Sequence, residues 1–207
     1  MPISGRVIVP GAAKYAGTPD VGMGEYGEML VSEIRGPYSA VNKGGLLFTA
    51  SAAGVTVPAI AATLVSVFSL YNPRNSGRVG ELVDVDITSV LAALVVNTFG
   101  WYFSADKNAD TATFTTKGTA QPGAIDGGPA GNKIQFYSAL THVGTPVLWD
   151  VIGGHHAVTS TQVGGIHKDY AGKRLIMPGT VVSIAASTTV CTTAGLTLAA
   201  SWIELPA

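Results

Sequence analysis

The sequence predicts an all-β protein: a β-sandwich of jelly-roll type with an extended N-terminal arm. Three observations predict it. Short runs of alternating apolar and polar residues recur, as in Glu81 to Thr88 and Leu196 to Ile203, and strand side chains alternate between two faces. Gly, Pro and Asn clusters separate these runs, with little helical periodicity between them. The spacing gives roughly eight to ten short strands joined by long, uneven connections, which suits a jelly roll.

Composition narrows the class further. The chain has 207 residues, long enough for one sandwich to bury a sizeable core without metals or disulfides. Its single cysteine, Cys191, excludes an internal disulfide framework; in its Thr-rich strand it reads as an inert buried thiol. Charged residues are 12% of the chain, against about 25% in soluble domains. Gly, Ala, Ser and Thr replace them. A net charge of -1 leaves no electrostatic footprint for nucleic acid or an anionic membrane. A dispersed monomer needs more charge than this, so the deficit points to an oligomer or larger assembly. Three charge-free spans, Gly44 to Pro73, Ile87 to Ala105 and Leu175 to Ile203, are broken by Pro, Gly, Asn or Thr. The longest purely apolar run, Val90 to Val96, is far short of the about 20 residues a membrane helix needs. Met1 to Pro19 holds only Val7-Ile8-Val9 as an apolar cluster, so no signal peptide is expected.

In chain order, Met1 to Glu28 is rich in breakers and reads as an arm lying on a neighbouring subunit, with a disordered tail as the alternative. Residues 29 to 207 form the single sandwich domain. Met29 to Ile34 and Leu46 to Ser51 are the first strands, and Gly54 to Pro58 is a short strand or bend. Thr63 to Tyr71 is apolar on both faces, with Leu64, Phe68 and Leu70 on one and Val65, Val67 and Tyr71 on the other. Asn72 to Arg78 is a loop whose Arg74 and Arg78 are exposed candidates for partner contact. Glu81 to Thr88 turns Val83, Val85 and Ile87 inward and Asp84 and Asp86 outward. Val90 to Val96 is a short helix or a buried strand. Thr98 to Ser104 is a strand alternating Phe99, Trp101 and Phe103. A Thr-rich strand, Thr111 to Thr116, precedes the Gly/Pro loop Lys117 to Asn132, whose length marks it as functional or mobile. Ile134 to Leu140 is a helix or strand, Pro146 to Ile152 a strand, Gly153 to His156 a turn, and Ala157 to Val163 a strand. Gly164 to Lys173 loops into a final strand pair, Arg174 to Pro206.

Candidate chemistry is sparse. His155 and His156 are adjacent, so on a strand they point to opposite faces and cannot easily share one metal. His142 and His167 complete no familiar ligand spacing, and no metal or cofactor is expected. Asp84 and Asp86 lie about 7 Å apart on one strand face, a spacing that suits a glycosidase pair or a cation but equally the polar side of a half-buried strand. No Gly-x-Ser-x-Gly elbow, P-loop, dinucleotide fingerprint or EF-hand occurs. Trp101, Trp149 and Trp202 read as core residues; two or three of them exposed on one face would make a carbohydrate platform. Gly172 to Gly179 resembles part of the second cupin motif, a Gly followed after five residues by Pro178-Gly179. The metal-binding His that follows in cupins is replaced here by Thr180, Val181, Val182 and Ser183. The first motif is missing too: Gly154-His155-His156-Ala157 has the wrong spacing, and no Glu lies between Glu81 and Glu204.

The ending Ala200-Ser201-Trp202-Ile203-Glu204-Leu205-Pro206, the turn Pro178-Gly179-Thr180, and Phe68-Ser69-Leu70-Tyr71-Asn72-Pro73 give the chain a further likeness. With its low-charge texture it resembles the structural virion proteins of tailed bacteriophages. The resemblance implies a non-enzymatic subunit located on the virion at the capsid surface: a capsid decoration (cement) protein, assembling as a homotrimer with the major capsid protein or another virion protein as partner. It supplies no functional residues. Two alternatives stand beside it: a tail, collar or fibre-head protein binding a host glycan, and a cupin-like jelly-roll metalloenzyme using His155, His156 or His167.

Overall fold

A computed structural model describes residues 22–23, 29–30, 45–61, 64–89, 97–104, 113–123, 131–142, 144–155, 164–187 and 191–207. The chain divides into two units, Met1–Ser39 and Ala40–Ala207. In the first, β1 (Gly22–Met23) pairs antiparallel with β2 (Met29–Leu30). The rest of the expected arm, the 90–96 segment, the expected strand at 157–163 and His156 lie outside the described residues.

The second unit is β-sandwich-like: two antiparallel sheets with no helix among the described residues. One sheet is six-stranded. Its order is β12 (Gly164–Asp169), β6 (Arg78–Ser89), β15 (Cys191–Pro206), β3 (Leu47–Val57) and β9 (Gln121–Pro122), with β13 (Leu175–Ile176) also on β6. The other is seven-stranded. It runs β11 (Val147–His155), β7 (Asn97–Phe103), β14 (Thr180–Ala186), β5 (Ser69–Asn72) and β10 (Gln135–Thr141), with β4 (Val65–Ser66) and β8 (Thr113–Lys117) also on β10.

The inner faces supply one shared core. Leu196, Leu198, Ala200 and Trp202 of β15 are at most 1% exposed, as their alternation requires. They meet Phe68, Phe99, Trp101, Phe136 and Ile184 from the facing sheet. Phe68 packs edge-on against Trp101, with ring centroids 6.1 Å apart, and against Phe136 at 4.8 Å. Each such side chain contributes about 1.5–3 kcal/mol by leaving water.

Several sequence expectations need correction. The last two long strands are not a pair: β14 bonds to β5 and β7, β15 to β3 and β6. Thr63 to Tyr71 is broken by a bend at Val67 and Phe68, which changes its phase. Phe68 and Leu70 therefore face the core, whereas Leu64 packs in a separate cluster with Tyr102 and Ala185. In β6 a register shift opposite Ser201 and Trp202 skips Val83, so Leu82, Val85 and Ile87 enter the core. Where the sequence left alternatives open, the strand holds: Gly54 to Val57 prolongs β3, and Ile134 to Leu140 yields β10. Gly153 to His155 continues β11, and Gly164 to Asp169 is the strand β12 rather than a loop. The Lys117 to Asn132 loop is partly tied down. Ala120 is buried, β9 pairs with β3, and Gly118 N–H donates to the Phe136 carbonyl at 3.0 Å.

Candidate interaction surface

The residues the sequence offered for chemistry do not converge. His167 on β12 stands opposite Asp86 on β6, and its Nδ1 lies 2.8 Å from Asp86 Oδ1 at an exposed position. That hydrogen bond raises the imidazole above its ordinary value, helped by the nearby charges of Asp84 and Asp169. Asp86 is thus a partner of His167, and Asp84 faces Asp169 across the same strand pair. His142 is buried elsewhere, with Nε2 2.7 Å from Ser183 Oγ, which lies 2.7 Å from Ser69 Oγ. A serine beside a histidine is half of a nucleophile, but these three residues are at most 1% exposed. The backbone of His155 ends β11; its side chain, like that of Cys191, is outside the described residues. Among the described residues no three His, Cys, Asp or Glu side chains form a group able to hold a metal.

The tryptophans separate by environment. Trp101 and Trp202 are fully buried, but Trp149 lines a cavity of about 250 Å³ at the rim of the sandwich. Phe103, Leu175, Met177, Thr180 and Val182 complete most of its wall. The wall includes the cupin-like turn. There the Gly179 N–H donates to the Asn72 carbonyl at 2.7 Å and Thr180 N–H closes on the Met177 carbonyl at 3.2 Å. Gly179 needs its positive φ of 81° to make that turn. Of the residues that follow this turn, Thr180, Val181 and Val182 line the cavity.

Leu175 and Met177 line this cavity, whereas Leu148 and Val151 stand opposite Tyr102 and Gly100 of β7, on the outer face of the sheet. Val147, Leu148 and Val151 on β11, with Leu175 and Met177, are 45 to 49% exposed. The other exposed large apolar side chains among the described residues, Val65 and Leu205, lie on different strands. β11 is an edge strand, and exposed edges are normally defended by charge, proline or brevity. β9 is two residues long with Pro122, β12 carries His167, Lys168 and Asp169, and β8 ends on the exposed Lys117. β11 has two register shifts, near Trp149 and Ile152, but its described side chains include one charge, Asp150, and that is engaged.

Asp150 was not legible as a site residue. Its Oδ2 accepts from Lys168 Nζ at 2.6 Å and its Oδ1 from Arg174 Nη2 at 3.0 Å. Burial pushes its pKa up, but these two hydrogen bonds outweigh it and hold the carboxyl below its ordinary value. Lys168 also donates to the Val151 carbonyl. The cluster therefore clasps the edge strand of one sheet to the edge strand of the other. The Arg174 guanidinium lies 5.9 Å from the Trp149 ring centroid, capping the cavity wall. Burial, with the charge of Asp150, raises the Tyr170 phenol beside it.

No protein-family model, curated protein or solved structure matches the chain. What the surface does is therefore argued from its chemistry. The half-exposed Val147, Leu148 and Val151 at the β11 edge offer apolar area.

Proposed function

We propose that the chain is a non-enzymatic structural subunit of a tailed-phage virion, a capsid decoration protein that assembles with copies of itself and seats on the capsid shell. The observation that carries this reading is the β11 edge with its exposed Val147, Leu148 and Val151, in a chain of 12% charge. Covering a half-exposed Val, Leu or Met contributes about 1 kcal/mol. The three on β11, from each of two copies, give about 6 kcal/mol, within the range estimated for the cost of association. The strand order supports a jelly roll: β12, β6, β15 and β3 face β11, β7, β14 and β5, and most of the connections between these eight strands cross from one sheet to the other.

The test is immunogold labelling of virions from the phage that carries the gene. Label over the head shell is expected. Virions without label would overturn the reading. Label on the tail would instead support a second reading, a glycan-binding tail or fibre-head protein, which rests on the half-buried Trp149 at the cavity wall.

A further inference from the structure

The cavity at Trp149 is closed on its inner side by Val182, a core residue 3% exposed. It opens beside Leu175 and Met177, which are both wall and surface, and Phe103 and Trp149 give it two aromatic walls. Its polar groups are largely spent on the protein itself. The Thr180 hydroxyl donates to the Met177 carbonyl at 2.6 Å. The Gly179 amide donates to the Asn72 carbonyl and the Thr180 amide to the Met177 carbonyl. Ser104 is 4% exposed and engaged as well. The cation beside the Trp149 ring, Arg174, is paired with Asp150, and Arg74, whose Cγ lies by Gly179, is not free either.

These facts select a ligand. Each hydroxyl of a sugar would exchange water for a wall with few hydrogen bonds left to give, and a charged group would lose hydration without gaining a counter-ion. An apolar molecule loses neither, and it displaces water that such a wall holds poorly. Volume sets the size. An apolar cavity of about 150 Å³ takes one benzene. The volume here is about 250 Å³, which scales to about ten carbons.

We infer that this cavity is a binding site for a small, uncharged, apolar molecule: one or two aromatic rings, or a short hydrocarbon chain, held between Trp149, Phe103, Leu175 and Met177. Met177 suits the task, because a thioether is flexible and packs well against aromatic rings. The inference goes beyond the proposed function and does not depend on it. It needs the wall of one chain and no assembled partner.

The experiment is a nuclear magnetic resonance titration of the full chain, isotope-labelled at its methionine methyls. The Met177 signal is identified by its loss in Met177→Leu. Toluene is the probe, with benzoate as its charged counterpart and methyl glucoside as the sugar. Toluene should shift the Met177 methyl saturably, with half-saturation at or below about 1 mM. Benzoate and the glucoside should bind at least about tenfold more weakly. Leu175→Asp, which puts a charge in the wall, should weaken toluene about tenfold, whereas Leu148→Asp, on the outer face of the sheet, should leave it unchanged. A Met177 methyl without a saturable response to toluene, or toluene binding unaltered in Leu175→Asp, would overturn the site. Benzoate or the glucoside binding as tightly as toluene would overturn the ligand class.

Discussion

Glu204 offers the sharpest test of how the two sheets are joined. It sits near the end of β15 in the six-stranded sheet and is 2% exposed. Its carboxylate accepts from the backbone N–H groups of Lys133, at 2.8 and 3.0 Å, and Ile134, at 2.8 Å. Those residues lead into β10 of the other sheet. Trp202 Nε1 donates to the same carboxylate at 3.3 Å. Ile134 then lies directly over Gly80, where an added Cβ would come within 2.3 Å of Ile134 Cδ1. The carboxylate thus fixes the approach of one sheet to the other. Glu204→Ala leaves three donors without an acceptor. At about 1–3 kcal/mol per orphaned group, and with the Lys133 amide near enough to the surface to regain water, the expected loss is about 3–5 kcal/mol. That corresponds to about 6–20 °C in Tm. Glu204→Gln keeps one acceptor oxygen and should lose about 1–2 kcal/mol. Urea unfolding followed by tryptophan fluorescence, at one fixed protein concentration because assembly adds stability, measures both. A Glu204→Ala protein within about 1 kcal/mol of wild type would refute the role of this carboxylate as a joint between the sheets.

Other consequences are equally specific. Asp150→Ala should cost about 1.5–3 kcal/mol by removing the acceptor shared by Lys168 and Arg174. Because the Asp150 carboxyl is held below its ordinary value of 3.8, its stabilisation is present above that pH and is lost as pH falls through the lowered value. The stability gap between wild type and Asp150→Asn should therefore shrink in acid; a gap constant down to pH about 2 would contradict the clasp. His167 has the opposite sign: its raised pKa adds stability below the ordinary 6.5, lost as pH rises through the raised value. A nuclear magnetic resonance titration should show the His167 ring titrating above 6.5 in the wild type and moving back toward it in Asp86→Asn. Gly179→Ala forces an alanine to a φ of 81° and sets its Cβ 3.0 Å from Arg74 Cγ. A loss of about 1–2 kcal/mol is expected on denaturant unfolding, and an unchanged midpoint would show that the turn relaxes.

The fold class was legible because burial enforces period two. Leu196, Leu198, Ala200 and Trp202 could be placed on the core face from spacing alone, and they are there. Phase was less legible than period. The skip at Val83 and the bend at Val67 and Phe68 leave no mark in the pattern, so Val85, Ile87, Phe68 and Leu70 were placed on the core face correctly, whereas Val83 and Leu64, on the far side of each break, were not. β12 was read as a loop because Gly164, Gly165, His167, Lys168 and Asp169 look like turn residues; at a sheet edge, charge is what a strand carries to resist further pairing. Neighbouring strands in sequence suggest a hairpin, but β14 and β15 each present an inner apolar face to the same core from opposite sheets. Alternation says that a face is buried and not which sheet it belongs to.

Site residues were read less well, for a physical reason. Asp150 and Glu204 each look like an isolated acid on an otherwise uncharged strand. Their partners lie on other elements, at Lys168, Arg174, Lys133 and Ile134, so only the three-dimensional arrangement joins them. Trp149 shares its residue type with the buried Trp101 and Trp202, and its rim position follows from β11 being an edge. The low charge, by contrast, was visible at once.

Hydrogen–deuterium exchange of the β11 amides as a function of protein concentration tests most directly whether this edge is a surface to be covered. Coverage requires the amides of residues 147–151 to exchange more slowly as concentration rises, while those of β12 keep their rate, and it requires Leu148→Asp to abolish the effect. Rates at 147–151 that stay fast and independent of concentration would contradict it.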